Sequence, residues 1–291
     1  NNIIINKFFM INKDSFSGSK FRIFEKKNKI FIKKKLKKIT LRDKKSFIKQ
    51  NDFKKFWINQ YKVEAAIIEK INLKKNFINL EYHEGFSGTD LILNSDLSVH
   101  KVLNKFLEKY LINLVSNSKF CTFERDLYNQ KCFQIEKNIS KKNKKKYKKL
   151  FKKIYSKMDT VKYNLIGNCH GDLTLSNIIV NKNKKRIILI DFLKTFWDSP
   201  IQDICKLIQD LRLYWTSRKF QKTDDVRVKI FCDNLNPFKS IKENSLIDII
   251  ELEMLITLAR IIPYIPSDDF DTHDWMERSY KKIDNKFIND L

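Results

Sequence analysis

Short β-branched and aromatic runs are grouped early in the chain and once more in its middle, while apolar residues elsewhere recur at helical spacing. Phe21-Arg22-Ile23-Phe24 and Ile30-Phe31-Ile32-Lys33-Lys34, parted by a polar turn at 27–29, predict two strands. Phe77 to Tyr82 predicts another, leaving through the turn His83-Glu84-Gly85. Further on, Ile178-Ile179-Val180 and Ile187-Ile188-Leu189-Ile190, joined by polar residues 181–186, predict a hairpin folded near Lys184. Helical patterns cover 41–57, 97–114 (through Val99, Val102, Leu103, Phe106, Leu107 and Tyr110), 141–153, 201–215 and 245–262. Pro263 and Pro266 stop the last of these.

Strands first and helices afterwards predict an α+β protein, and 291 residues can form one large domain or two lobes, which would part at the turn after Tyr82. The first, residues 1–84, is small and β-rich with one helix; the second, 85–291, is larger and mainly helical. A hydrophobic content of 42% suffices for a packed core, and 13% aromatics argue against disorder.

Composition narrows the setting. The cysteines (Cys121, Cys132, Cys169, Cys205, Cys232) are odd in number and show no CxxC spacing, which predicts buried, reduced thiols in a cytoplasmic protein. No run is long and apolar enough for a transmembrane segment, and the apolar opening to Ile11 is too short and Asn-rich for a secretory signal. A net charge of +25 attracts polyanions, ATP among them. Its one dense patch, KKNKKKYKKLFKK from Lys141, carries an apolar stripe of Tyr147, Leu150, Phe151 and Ile154 and reads as the solvated face of a helix. No recognition motif accompanies the charge, so specific nucleic-acid binding is not expected.

The candidate chemistry lies in HGDLTLSNIIVNKNKKRIILIDF, from His170 to Phe192. Strands of a hairpin lie about 4.8 Å apart, so folding near Lys184 would let Asn177 face Asp191 around one hard cation, with Asp172 on the adjoining loop. Oxygen ligands for Mg2+ beside a carboxylate that can take a hydroxyl proton are what phosphoryl transfer needs.

At these residues the chain resembles the aminoglycoside phosphotransferase and choline kinase group, whose fold is that of protein kinases. The resemblance implies a protein-kinase-like two-lobed fold, ATP and Mg2+ as cofactors, and a small-molecule hydroxyl as acceptor. Carried over by position, it implies Asp172 as catalytic base, Asn177 and Asp191 as metal ligands, His170 as a loop brace and Asp203 as acceptor of backbone hydrogen bonds from the catalytic loop. In the first lobe it implies Ser17, Gly18 and Ser19 as a phosphate-covering turn and Lys34 as the α/β-phosphate lysine. Ile32 would pack over adenine, and the backbone near Glu81 and Tyr82 would bond its edge.

Two departures, Gly171 and Leu193, favour a small-molecule kinase over a protein kinase. Residues 41–57 also lack a glutamate to pair with Lys34; Gln50 is the neutral substitute expected. Asp268, Asp269, Asp271, Asp274 and Trp275 read as an exposed acidic loop, or else as part of a cage for a cationic acceptor. Tyr214 and Trp215 read as core. The function expected is transfer of the γ-phosphoryl group of ATP to a sugar, amino sugar or amino alcohol. A nucleotide-binding pseudokinase acting as a scaffold is the alternative, with a protein kinase behind it. The oligomeric state is not legible.

Overall fold

The computed structural model describes residues 20–26, 28–94, 97–220, 226–238 and 244–291. It divides into two compact units: the described residues up to Gly85 with Ile179–Lys194, and Phe86–Ile178 with Thr195–Leu291.

The first unit opens with β1 (Lys20–Lys26) and β2 (Lys29–Lys35), paired antiparallel with Ile23 opposite Ile32. Asn28 turns the chain with φ 57°, a left-handed conformation that asparagine tolerates better than most residues. Helix α1 (Leu41–Asn51) starts at a reciprocal capping box of Thr40 and Asp43. It is followed by β3 (Phe56–Ile58), β4 (Tyr61–Ala65), β5 (Ile68–Asn72) and β6 (Phe77–Glu81). The sheet order is β1-β2-β6-β5, and Ile68, Ile78 and Leu80 form a core beneath it with Ile32, Ile39 and Phe47.

The helix expected to reach Trp57 therefore ends at Asn51. Phe56-Trp57-Ile58 is an aromatic and β-branched run, and with Asn59 turning at φ 52° it pairs with β4 instead.

The chain continues as β7 (Phe86–Ser87), α2 (Gly88–Leu93), α3 (Leu97–Ser116), β8 (Lys119–Thr122), α4 (Arg125–Lys137), α5 (Lys141–Lys146), α6 (Lys148–Met158) and β9 (Tyr163–Ile166). The hairpin follows as β10 (Ile178–Asn181) and β11 (Arg186–Leu189), neighbours in one sheet. Asn181 closes the turn by accepting the Lys184 N–H, and Lys185 takes φ 50°. Strand β11 pairs in parallel with β4, Arg186 opposite Lys62 and Leu189 opposite Ala65. A strand flanked on both sides reads as an unbroken apolar run, and Ile187, Ile188 and Leu189 are all buried.

After the hairpin, most of which belongs to the first unit, the second unit is helical: α7 (Pro200–Leu211), α8 (Val226–Asn234), α9 (Ile247–Ala259), α10 (Phe270–Lys282) and α11 (Asn285–Asn289). Helix α9 is buried from Ile249 to Ala259 and packs against α6 and α7. A β-rich unit and a mainly helical one make the α+β class expected. Two expectations fail locally. The lysine-rich helix breaks into α5 and α6 at Tyr147, whose buried hydroxyl bonds His273. The acidic segment forms α10: Asp269 caps it by accepting the Thr272 N–H, Asp274 pairs with Arg278, and His273, Trp275, Met276 and Tyr280 form its buried face.

Candidate active site

In the first unit, one face of α1 grips the backbone that leaves β11. Arg42 donates to Lys194 O (2.7 Å), Ser46 accepts the Lys194 N–H (2.7 Å), Lys49 donates to Leu193 O (3.1 Å) and Gln50 accepts the Phe192 N–H (3.2 Å). The spacing of these four positions is helical, so they share a face. Asp191, held just before this clamp, has φ 58°. Such backbone is uncommon outside glycine and concentrates at functional positions.

Lys34 reaches Asp191 from β2, Nζ to Oδ2 at 2.7 Å, with the lysine side chain only 13% exposed. This corrects the pairing of Lys34 with Gln50. The amide of Gln50 is engaged by Phe192 N–H and by Ala66 O, to which it donates at 2.6 Å. Ile32 is half-buried against the sheet core. At the end of β6, the Glu81 N–H bonds Ile67 O and the Tyr82 N–H bonds Ile30 O, both at 2.9 Å. The Glu81 carboxylate lies 3.8 Å from Lys29. Ser17, Gly18 and Ser19 lie outside the described residues.

The second unit builds the loop of Asp172. His170 is fully buried and its Nδ1 accepts the Asp172 N–H at 3.3 Å, a bracing contact. Asn177, at the end of a 3-10 turn (Leu175–Asn177), folds back on the loop. Its Nδ2 donates to the Asp172 carbonyl at 2.7 Å and lies 3.3 Å from the Asp172 carboxylate.

Helix α7 fastens this loop from below. Asp203 accepts from His170 N–H (2.6 Å) and Gly171 N–H (2.7 Å), Lys206 Nζ meets Asp172 Oδ1 at 3.0 Å, and Asp210 accepts the Leu175 N–H at 2.7 Å. Positions 203, 206 and 210 follow the helical repeat, so they share one face of the helix, and that face meets the loop. Burial pushes the Asp172 carboxyl up, but the Lys206 ammonium, with His170 and Arg260, more than offsets it and leaves the group below its ordinary range. Asp210 is the opposite case: burial carries it up to about 6.

Sequence alone does not single out Lys206 or Asp210. Their only signal is the spacing from Asp203, which marks a helix face without naming what it touches.

Each unit by itself offers an oxygen of the kind a hard cation prefers: in the second, with the Asn177 amide nitrogen committed to Asp172, the amide oxygen is the atom left to bind, and in the first Asp191 has a carboxylate. Mg2+ takes few protein oxygens and completes its shell with phosphate and water. Among the described residues, no group of three or more His, Cys, Asp or Glu side chains gathers around a possible metal position. A cage for a cationic ligand is not open at Trp275. Its ring lies 4.8 Å from Trp215, and the Arg218 guanidinium already stands over both, 3.5 Å from the Trp215 ring and 5.5 Å from that of Trp275.

The sequence profile of the ecdysteroid kinase-like family matches residues 93–211. That span is less than half of the chain, and it contains His170, Asp172, Asn177, Asp191 and Asp203. None of the curated proteins matches. Among solved structures, the gentamicin complex of APH(2")-IIa aligns with 99% of this chain and 97% of its own, at 12% identity and a TM-score of 0.47. Among the described residues, no helix is long and apolar enough to cross a membrane.

Proposed function

We propose that the chain is an ATP-dependent small-molecule kinase that phosphorylates a hydroxyl group of a sugar, amino sugar or amino alcohol. The observation that carries this reading is the Asp172 loop: a carboxylate kept ionised at an electropositive point, with an amide folded beside it and the backbone fixed by a buried acid. Asp172 accepts the acceptor hydroxyl proton as its oxygen bonds to the γ-phosphorus. The bond from that phosphorus to the β-γ bridging oxygen breaks, and ADP leaves. Lys34 binds the α- and β-phosphates, exchanging its contact with Asp191 for them. Asn177 and Asp191 are the residues that would hold Mg2+, which would supply positive charge against that of the phosphates. Ser17, Gly18 and Ser19 cover the phosphates, and Ile32, Glu81 and Tyr82 border the base. Because the N–H groups of Glu81 and Tyr82 are engaged within the sheet, donors to the base come from His83 onward. Positioning and charge account for most of the acceleration in such a reaction.

The site lies in a protein with free cysteines, of which burial pushes Cys132 and Cys232 up to about 12, so these two stay protonated and a reducing cytoplasm suits them. A nucleotide-binding scaffold is the second reading, favoured by the absence of a glutamate from α1.

Single-turnover incubation with γ-labelled ATP and a panel of sugars, amino sugars and amino alcohols separates the two. The kinase reading expects label on a small hydroxyl compound. It expects Asp172→Ala to lower transfer by about 10²–10⁴-fold, the usual worth of a general base, with nucleotide affinity retained. Nucleotide binding with no transfer supports the scaffold. Label entering polypeptide instead of small molecules supports a protein kinase.

A further inference from the structure

Lys206 lies mid-helix in α7. Its side chain is 15% exposed, and its ammonium meets Asp172 Oδ1 at 3.0 Å. The other carboxylate oxygen, Oδ2, faces the Asn177 amide at 3.3 Å. The two oxygens of Asp172 are thus distinguished among the described residues: one rests on a fixed cation, while the other meets an amide at a longer distance. Asp203 and Asp210 flank Lys206 on the same helix face and bond backbone N–H groups on the loop, so helix and loop are registered on either side of the ion pair.

We propose that Lys206 is a positioning residue for phosphoryl transfer, seating Asp172 by Oδ1 so that Oδ2 is presented to the acceptor hydroxyl. The assignment rests on the kinase reading. A base held by one oxygen has a single orientation to offer, and loss of such orientation can cost about 10²-fold in rate. Lysine suits the task as a compact point charge on a flexible stem, and arginine, which brings the charge in a wider planar fork, replaces it imperfectly.

The test compares Lys206→Met and Lys206→Arg with the wild type in two measurements. The first is single-turnover hydrolysis of γ-labelled ATP, with water as acceptor, together with calorimetric nucleotide affinity. The expected result is a loss of about 10²-fold in rate for Lys206→Met with affinity for ATP unchanged, and recovery of about tenfold in Lys206→Arg. The second needs no turnover. The ¹⁵Nζ signal of Lys206, assigned by its disappearance in Lys206→Arg, should show slow proton exchange in the wild type and fast exchange in Asp172→Asn.

Wild-type rates in Lys206→Met, with slow Nζ exchange seen in the wild type, overturn the role of Lys206 and leave the kinase reading standing. An Nζ signal that is indifferent to Asp172→Asn overturns the pairing itself. A wild type that neither hydrolyses ATP nor labels any acceptor overturns both proposals. Weakened ATP binding in Lys206→Met, equal to its loss of rate, shows a merely structural lysine and also overturns the assignment.

Discussion

At the scale of single residues, burial decides which carboxyls carry charge. Asp210 is 2% exposed and rises from 3.8 to about 6, chiefly because burial disfavours its charged form; bonds from Thr216 and Leu175, and the charge of Lys206, only partly oppose this. A folded-state value above the unfolded one means that the native chain holds an extra proton between about pH 4 and 6, so this group's contribution to stability falls as pH rises through that window. Asp210→Asn removes the titration and keeps an oxygen for the Leu175 N–H. Relative to wild type, the variant should therefore gain about 2 kcal/mol on going from pH 4 to pH 8, measured by urea unfolding at both. A stability difference that is the same at the two pH values would refute it. Such effects divide what is legible in a sequence from what is not. His170, Asp172, Asn177 and Asp191 stand out because their residue types and spacing form the motif on which the resemblance rests. Lys206 is one lysine among many in a chain of net charge +25, and only the docking of α7 on the loop singles it out.

At the scale of elements, each unit has one helix that offers a polar face to a loop. Helix α7 offers Asp203, Lys206 and Asp210, while α1 offers Arg42, Ser46, Lys49 and Gln50. Removing the acid at the start of α7 by Asp203→Ala leaves the N–H groups of His170 and Gly171 without that acceptor. Hydrogen bonds to a charged group contribute about 1.5–3 kcal/mol each, so a loss of roughly 3–6 kcal/mol is expected, and Asp203→Asn should lose less. Hydrogen exchange checks the location: the His170 and Gly171 amides should exchange faster in the alanine variant, whereas the Phe192 and Lys194 amides, held by α1, should not. Uniform acceleration across the chain would contradict a local clamp. Elements with a strong apolar stripe, α3 and α7, are legible in advance. Helix α4 is not, because only Tyr128, Cys132 and Ile135 are buried in a stretch otherwise charged and amide-rich. The end of α1 is misjudged for a similar reason: Phe56 and Trp57 continue its apolar content, and only the turn at Asn59 and the partner strand β4 draw them into a sheet. The acidic run before Trp275 looks like a solvated loop until its caps and i,i+4 pairs are counted as helix signals.

At the scale of the whole molecule, the proposed function requires metal binding and proton acceptance to be separate tasks of separate carboxylates, and charge alone can test this. Asp191 bonds Lys34, a lysine assigned to phosphate, whereas Asp172 bonds Lys206. Without Mg2+, the Asp191 charge opposes bound phosphates and competes with them for Lys34. Asp191→Asn should therefore bind ATP at least as well as wild type when EDTA is present, since like charges a few ångströms apart repel. With Mg2+ the sign reverses: the carboxylate becomes a ligand of the ion, and the variant loses most of the affinity that the metal confers. Asp172→Ala has no such reversal, since Asp172 is assigned to the acceptor proton and not to the metal; its ATP affinity should follow wild type in both buffers. Titration calorimetry of the three proteins, with EDTA and with Mg2+, reads this as a difference of differences. The comparison is best made at matched ionic strength, because a protein of net charge +25 attracts any polyanion and that attraction weakens with salt. If Mg2+ strengthens ATP binding equally in Asp191→Asn and in wild type, the metal is not held by Asp191. If both variants lose the Mg2+ effect alike, the division of labour between the two acids is wrong, even should phosphoryl transfer itself be observed.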